Sequence, residues 1–208
     1  MAGLTGAGLR VGITQRCIGE TPTSFARDAL DAAWSGWFAR HLPEALFTPV
    51  PNFAQPAQAL AYCRAWDLNA LVLSGGEDIG VSPRRDEVER ALLAFARDAK
   101  LAVLGVCRGM QFLHHFSGGR LEPVAEHVGQ VHEVNVEGEV LQLNSWHRWR
   151  IDEPTAGWEA TGRSREGHVE AMRHRTLPWL ATMWHPERPH GGADLVAGWL
   201  AAAAGKKA

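Results

Sequence analysis

Short apolar runs alternate with amphipathic stretches along the first half of the chain. Leu9 to Ile13 reads as a strand. Ser24 to Leu42 predicts a helix with Leu30, Trp34, Trp37, Phe38 and Leu42 on one face. Leu46 to Val50 predicts a second strand, and its Pro49 suits a sheet edge because proline has no N–H to give a neighbour. Pro56 to Trp66 predicts a second helix with proline in its first turn. Ala70 to Leu73 predicts a third strand that runs into Ser74-Gly75-Gly76. Asp86 to Lys100 predicts a third helix with Asp86 as N-cap, and Leu101 to Val106 a fourth strand. This alternation specifies an α/β fold, a flavodoxin-like, mostly parallel sheet with helices on both faces. After about Gly119 the rhythm changes. Val131–Val136, Val140–Leu143, Trp149–Ile151 and His168–Met172 read as short, partly antiparallel strands. Leu180 to Trp184 is a further apolar strand, and Asp194 to Ala204 a closing helix.

The length of 208 residues favours a single domain over 1–208, with an ordered core of about residues 9–204. Met1 to Gly8 lacks the basic and apolar segments of a signal peptide, and no apolar run is long enough to span a membrane. The net charge of −2 gives no electrostatic footprint for nucleic acid. Three cysteines, an odd number, argue against a disulfide framework and for a reducing cytoplasm. Nine tryptophans stand against one tyrosine and read mainly as packing mass. Trp34, Trp37 and Trp199 are also candidates for the face of a homodimer.

The chemistry concentrates in Gly105-Val106-Cys107-Arg108-Gly109-Met110-Gln111. An apolar strand leads in, a helical stretch leads out, and glycines flank the cysteine at two residues on either side. That is the layout of a nucleophile elbow. A thiol at a helix N-terminus lies at the positive end of the dipole, which favours an anion. Such a nucleophile needs a base, and the base an orienting group. His185 and Glu187, two residues apart at a strand end, can face the same way. The backbone amides of Arg108 and Gly76 are candidates for an oxyanion hole. Both glycine turn and cysteine lie at strand carboxyl ends, where parallel sheets bind ligands.

Taken with Trp184-His185-Pro186-Glu187, the elbow resembles those of the class I glutamine amidotransferase superfamily. Ser74-Gly75-Gly76-Glu77-Asp78-Ile79, His132-Glu133-Val134, Leu143-Asn144-Ser145-Trp146-His147 and Val169-Glu170-Ala171 resemble its gamma-glutamyl hydrolase branch. The resemblance runs from about residue 9 to about residue 200. It implies a Cys107-His185-Glu187 triad that attacks the γ-carbonyl of a small-molecule glutamyl amide, forms a thioester and releases glutamate. It further implies that Gly75, Gln111 and the backbone around Asn144, Ser145 and Trp146 hold the glutamyl head. No cofactor is implied. Gly12-Ile13-Thr14-Gln15-Arg16, Glu170-Ala171-Met172-Arg173-His174 and Met183 to Arg188 are similar to a compact bacterial subgroup, the gamma-glutamyl-CDP-amidate hydrolases of surface-polysaccharide phosphoramidate synthesis. Two positions depart from the wider pattern, Met183 and Arg148-Trp149, where glutamines are usual.

Other residues carry less. Cys63 reads as a core residue and Cys17 as a bystander near the cleft. His147 lines the cleft or orders the Asn144-Ser145 loop. Ten histidines invite a metal reading, but His114-His115 diverge on a helix, and His127 and His132 lack a cysteine or carboxylate at metal-site spacing; no metal is expected. Arg16, Arg148 and Arg188 are either structural or phosphate-binding, and the role of Glu170 stays open. Arg84 to Arg90 reads as a helix start with a solvated face. Two other functions use the same chain: the glutaminase subunit of an amidotransferase feeding ammonia to a synthase partner, or a non-catalytic binding protein.

Overall fold

Ala70–Leu73 shows how this chain divides its apolar residues. Ala70 and Val72 pack into one core and Leu71 and Leu73 into another, on opposite faces of one strand. All four are fully buried, as a central parallel strand demands. The computed structural model describes residues 8–205, so residues 1–7 of the lead-in and 206–208 of the tail lie outside it. In chain order the elements are β1 (Arg10–Thr14), β2 (Arg16–Ile18), β3 (Arg27–Ala29), α1 (Ala33–His41), β4 (Leu46–Val50), α2 (Pro56–Ala65), β5 (Ala70–Leu73), α3 (Pro83–Asp98) and β6 (Ala102–Val106). There follow α4 (Arg108–Phe116), β7 (Glu122–Pro123), β8 (Val128–Val136), β9 (Glu139–Trp146), β10 (Trp149–Arg150), β11 (Trp158–Ser164), β12 (Val169–His174), β13 (Trp179–Thr182) and α5 (Ala193–Gly205).

The main sheet has nine strands in the order β4-β1-β5-β6-β13-β12-β11-β8-β9. The first five run parallel; from β13 onward neighbours are antiparallel. α2, α3 and α4 supply one core, with Cys63, Leu92, Leu93, Phe112 and Leu113. α1 and α5 supply the other, with Trp34, Trp37, Phe38, Val196 and Leu200. The expected α/β fold is therefore present, and β4 with Pro49 is indeed an edge strand. Among the described residues no helix is long and apolar enough to cross a membrane. Trp34 and Trp37 are 1% and 3% exposed, so they are consumed within the chain and do not offer a face to a second copy.

Three expectations need correction. The helix proposed from Ser24 starts only at Ala33, because Arg27–Ala29 pairs with Arg16–Ile18 in an antiparallel ribbon. Asn52 donates from its backbone N–H to Asp28 at 2.8 Å, pinning that ribbon down, and Asp31 Oδ1 accepts the Ala33 N–H at 3.0 Å. α3 starts earlier than expected, at Pro83, with Ser82 rather than Asp86 as N-cap. Asp86 instead accepts the Gly80 N–H at 2.7 Å from inside the first turn. The second half holds strands the sequence did not predict, β11 among them. β8, β9, β11 and β12 extend the main sheet, and β11 escapes periodicity because Ala160-Thr161-Gly162-Arg163 has no apolar alternation.

α4 lies against β5 at Gly109, where an added Cβ would collide with the Leu73 carbonyl. Gly109→Ala is expected to lower stability by about 1–3 kcal/mol by forcing helix and strand apart. In urea unfolding this appears as a lower midpoint at unchanged slope.

Candidate active site

Three adjacent parallel strands, β5, β6 and β13, end along one edge of the sheet. β5 runs into Ser74-Gly75-Gly76, β6 into Cys107, and β13 toward His185 and Glu187. Cys107 adopts φ 52° and ψ −106°, a left-handed conformation rare for a residue with a side chain and costing about 1–3 kcal/mol. Its surroundings hold it there. The Cys107 N–H donates to Thr182 O of β13 at 2.8 Å, and its carbonyl accepts the Gln111 N–H at 3.1 Å. The thiol is thereby lifted to the tip of the elbow, at the N-terminus of α4, where the helix favours negative charge.

His185 is held from both sides. Its Nδ1 lies 2.6 Å from Glu187 Oε1, and both side chains are buried. Asn144 clamps its backbone: Asn144 Oδ1 accepts the His185 N–H at 2.9 Å, and Asn144 Nδ2 donates to His185 O at 2.9 Å. The ring lies so close to Gly75 that a Cβ there would approach its Cε1 to 2.6 Å, so that close approach needs a glycine. Burial alone would lower the histidine pKa. The hydrogen bond and charge of Cys107, then those of Glu187, outweigh it and raise it to about 9. The protonated imidazolium is the form of His185 that these interactions favour.

The turn carrying Gly75 and Gly76 rests on a buried ion network. Arg85, fully buried, donates from Nη2 to Ser74 O at 2.8 Å and to Gly75 O at 3.3 Å. Its Nη1 reaches Glu77 at 3.0 Å and its Nε reaches Glu89 at 2.9 Å. Glu89 also accepts from Thr14 Oγ1 at 2.7 Å, and Thr14 Oγ1 in turn accepts the Ser74 N–H at 3.1 Å. The other oxygen of Glu89 pairs with Arg108, whose guanidinium also meets Asp86. Gly76 has φ 152°, and a Cβ on it would meet Arg85 and Arg16. Arg85 and Glu89 are thus core residues, not the solvated helix face expected. Their i,i+4 spacing was the signal that could have paired them.

A cavity of about 160 Å³ opens beside this edge, lined by Ser74, Gly75, Gly76, His185 and Glu187 and, opposite, by Arg16, Asp31, Trp34 and Arg188. Arg188 is paired with Asp31 at 3.0 Å and lies over the Trp146 ring at 5.3 Å; Arg16 and Arg148 are exposed. Gln111 is buried, its amide donating to Met183 Sδ at 3.6 Å, so the departing Met183 touches it directly. Ser145 is buried and donates to His127 O at 2.6 Å. His147 is buried with Nδ1 2.9 Å from Trp149 O, which places it behind the Asn144-Ser145 segment. Asn144 uses its side chain on His185 and Pro189, and its N–H on His190 O. That positioning role was not visible in the sequence. Cys17 is half-buried and receives hydrogen bonds from Asn52 and Ser82; burial pushes the Cys63 thiol up to about 11.

Two outcomes follow from this geometry. Glu89→Gln leaves two buried guanidiniums short of one negative charge and should cost about 3–5 kcal/mol in denaturant unfolding. The His185 imidazolium should persist through neutral pH and be lost as pH rises through about 9. In Cys107→Ser the anionic neighbour is gone, so the histidine should titrate at lower pH; NMR titration of the ring reads this directly, and an unmoved midpoint would exclude the coupling.

The model of the family "Glutamine amidotransferase class-I" matches residues 44–196. The gamma-glutamyl-CDP-amidate hydrolase of Campylobacter jejuni is 29% identical over 187 residues, covering 87% of this chain and 91% of that protein. A glutamine-hydrolysing GMP synthase subunit of Methanocaldococcus jannaschii is 29% identical over 133 residues, 60% of this chain and 67% of that protein. Among solved structures, a GMP synthase subunit from Thermoplasma acidophilum superposes with a TM-score of 0.71 at 19% identity, covering 96% of both chains, a likeness of fold. The matched segment contains β5, the Cys107 elbow and the His185–Glu187 pair, and the chain belongs to the class-I glutamine amidotransferase family.

Proposed function

We propose that this amidotransferase-type hydrolase cleaves a γ-glutamyl amide with Cys107 as nucleophile, His185 as acid and base, and Glu187 as the group that orients it. The observation that carries the reading is the 2.6 Å His185–Glu187 contact, at the strand end next to the Cys107 elbow and beside a cavity lined by the Gly75-Gly76 turn. The Cys107 thiolate attacks the γ-carbonyl carbon. The oxyanion is held by the backbone amides of Gly76 and Arg108. The His185 imidazolium protonates the departing nitrogen as the C–N bond breaks, leaving a γ-glutamyl thioester. Neutral His185 then takes a proton from water, which attacks the thioester, expels the thiolate and frees glutamate.

The best specific substrate is γ-glutamyl-CDP-amidate, giving CDP-amidate for phosphoramidate decoration of surface polysaccharide. Arg16 and Arg188 at the cavity support a phosphate-bearing leaving group, because guanidinium suits phosphate oxygens. The similarity to the Campylobacter hydrolase supports it as well. The second reading, a glutaminase subunit supplying ammonia to a synthase, has the archaeal GMP synthase subunits in its favour.

The test is glutamate release from γ-glutamyl-CDP-amidate, γ-glutamyl-aminobutyrate and glutamine offered in parallel. The nucleotide should be preferred, and Cys107→Ala should lower its turnover by about 10⁴-fold or more. Arg16→Ala should raise KM for the nucleotide roughly tenfold, the loss of one charge-assisted hydrogen bond, and leave glutamine unaffected. Turnover surviving in Cys107→Ala would refute the mechanism. Glutamine turnover alone, accelerated by a synthase, would establish the second reading.

A further inference from the structure

A second polar cluster lies on the antiparallel half of the sheet, and none of its members lines the cavity beside His185. His127 precedes β8, His132 lies on β8, His147 follows β9, and Glu170 lies on β12. Glu170 lies well beyond the three histidines in sequence, so no metal-site spacing shows; the fold brings them together. Ligand-capable atoms of His127, His132 and Glu170 all lie within 4.8 Å of one another. His147 Nε2 is 3.5 Å from Glu170 Oε1 and 3.3 Å from His127 Nδ1. His132 Nε2 is 3.7 Å from Glu170 Oε2.

Glu170 is fully buried, yet neither carboxylate oxygen has a hydrogen-bond partner, and His132 Nε2 has none either. A buried carboxylate without partners is costly unless a cation meets it. The orientation of His147 adds to this. Its Nδ1 lies 2.9 Å from Trp149 O, a bond only an N–H can make, so in the neutral ring Nε2 carries a lone pair. That lone pair faces a Glu170 oxygen and a nitrogen of His127. The Glu170 carboxylate and the His147 lone pair thus converge on one place, and a cation bound there, with His127 Nδ1 giving up its proton, would satisfy all three groups. A backbone carbonyl that fixes the far nitrogen of an imidazole is also the usual outer support of a metal ligand.

We infer that His127, His132, His147 and Glu170 form a binding site for a divalent transition metal such as Zn²⁺. Three imidazoles and one carboxylate suit a borderline cation better than Mg²⁺ or Ca²⁺, which prefer oxygen. Four protein ligands without an open position describe a structural site, not a catalytic one. His132 is only half-buried, so the site is open to an ion arriving from solvent. Bound metal would tie the chain before β8 to β8, β9 and β12. It would also brace the Ser145–His127 contact, one residue from the Asn144 that clamps His185. The site is independent of which amide the enzyme cleaves.

The experiment is calorimetric titration of Zn²⁺ into the full chain carrying Cys107→Ser, which removes the competing sulfur of the elbow. One Zn²⁺ per chain is expected, with a raised melting temperature. Cobalt in its place should give the visible absorption of a four-coordinate ion without a thiolate charge-transfer band. His132→Gln, a half-buried position that should fold normally by circular dichroism, should weaken binding more than about a hundredfold, since even outer supports of metal ligands contribute roughly 10–100-fold. Glu170→Gln should do the same; if that variant fails to fold, His132→Gln alone decides. No uptake in Cys107→Ser, or uptake unchanged in folded His132→Gln, overturns the assignment and leaves the cluster as histidines paired with Glu170 through protons.

Discussion

One carboxylate, Glu89, stands between two buried guanidiniums. Arg85 and Arg108 would repel each other in the interior without it, and each also steadies backbone at the active edge. Arg85 grips the carbonyls of Ser74 and Gly75; Arg108 is the residue after Cys107. The turn after β5 and the elbow after β6 are thus tied through α3. A buried ion network of this kind is weak evidence for stability, because desolvating its charges is costly. Its worth here is geometric. In the proposed mechanism two backbone amides from separate strand ends point at one small volume, and a network anchored on one helix sets the relative position of those two strand ends.

Much of the fold was legible because the parallel half obeys simple periodicity. Ala70–Leu73 is uniformly apolar and became a central strand; Pro49 marked an edge and became one. Ser24 to Ala32 failed for a tertiary reason: the pairing of β2 with β3 and the Asn52–Asp28 bonds override a helical pattern. β11 failed because it lies in the middle of a sheet yet carries glycine, threonine and arginine. At the candidate site, the position of Cys107 on a strand–helix turn and the facing of His185 and Glu187 were readable from spacing, since an elbow and an i,i+2 pair are local motifs. Asn144 was not. Its function is to hold the backbone of His185, 41 residues further along, and no local pattern encodes such a contact. The same holds for His127, His132 and Glu170, which meet only because β12, β11 and β8 lie side by side.

β13 joins the two halves of the sheet. It pairs in parallel with β6 and antiparallel with β12. The elbow draws on it directly through the Cys107–Thr182 bond, and His185 follows it within a turn. The relative height of Cys107 and His185 is therefore a matter of strand register, and a slip of one residue would turn the side chains of β13 to the wrong faces.

That arrangement also orders events during synthesis. β6 ends at Val106, but its neighbour on one side, β13, begins only at Trp179. A ribosome delivers the cysteine well before it delivers the strand that supports its backbone or the histidine beside it. Non-local pairings of this kind close late, after the intervening chain has been made. The growing chain thus carries Cys107 without His185, and the candidate pair comes together only as the last central strand slides into the gap.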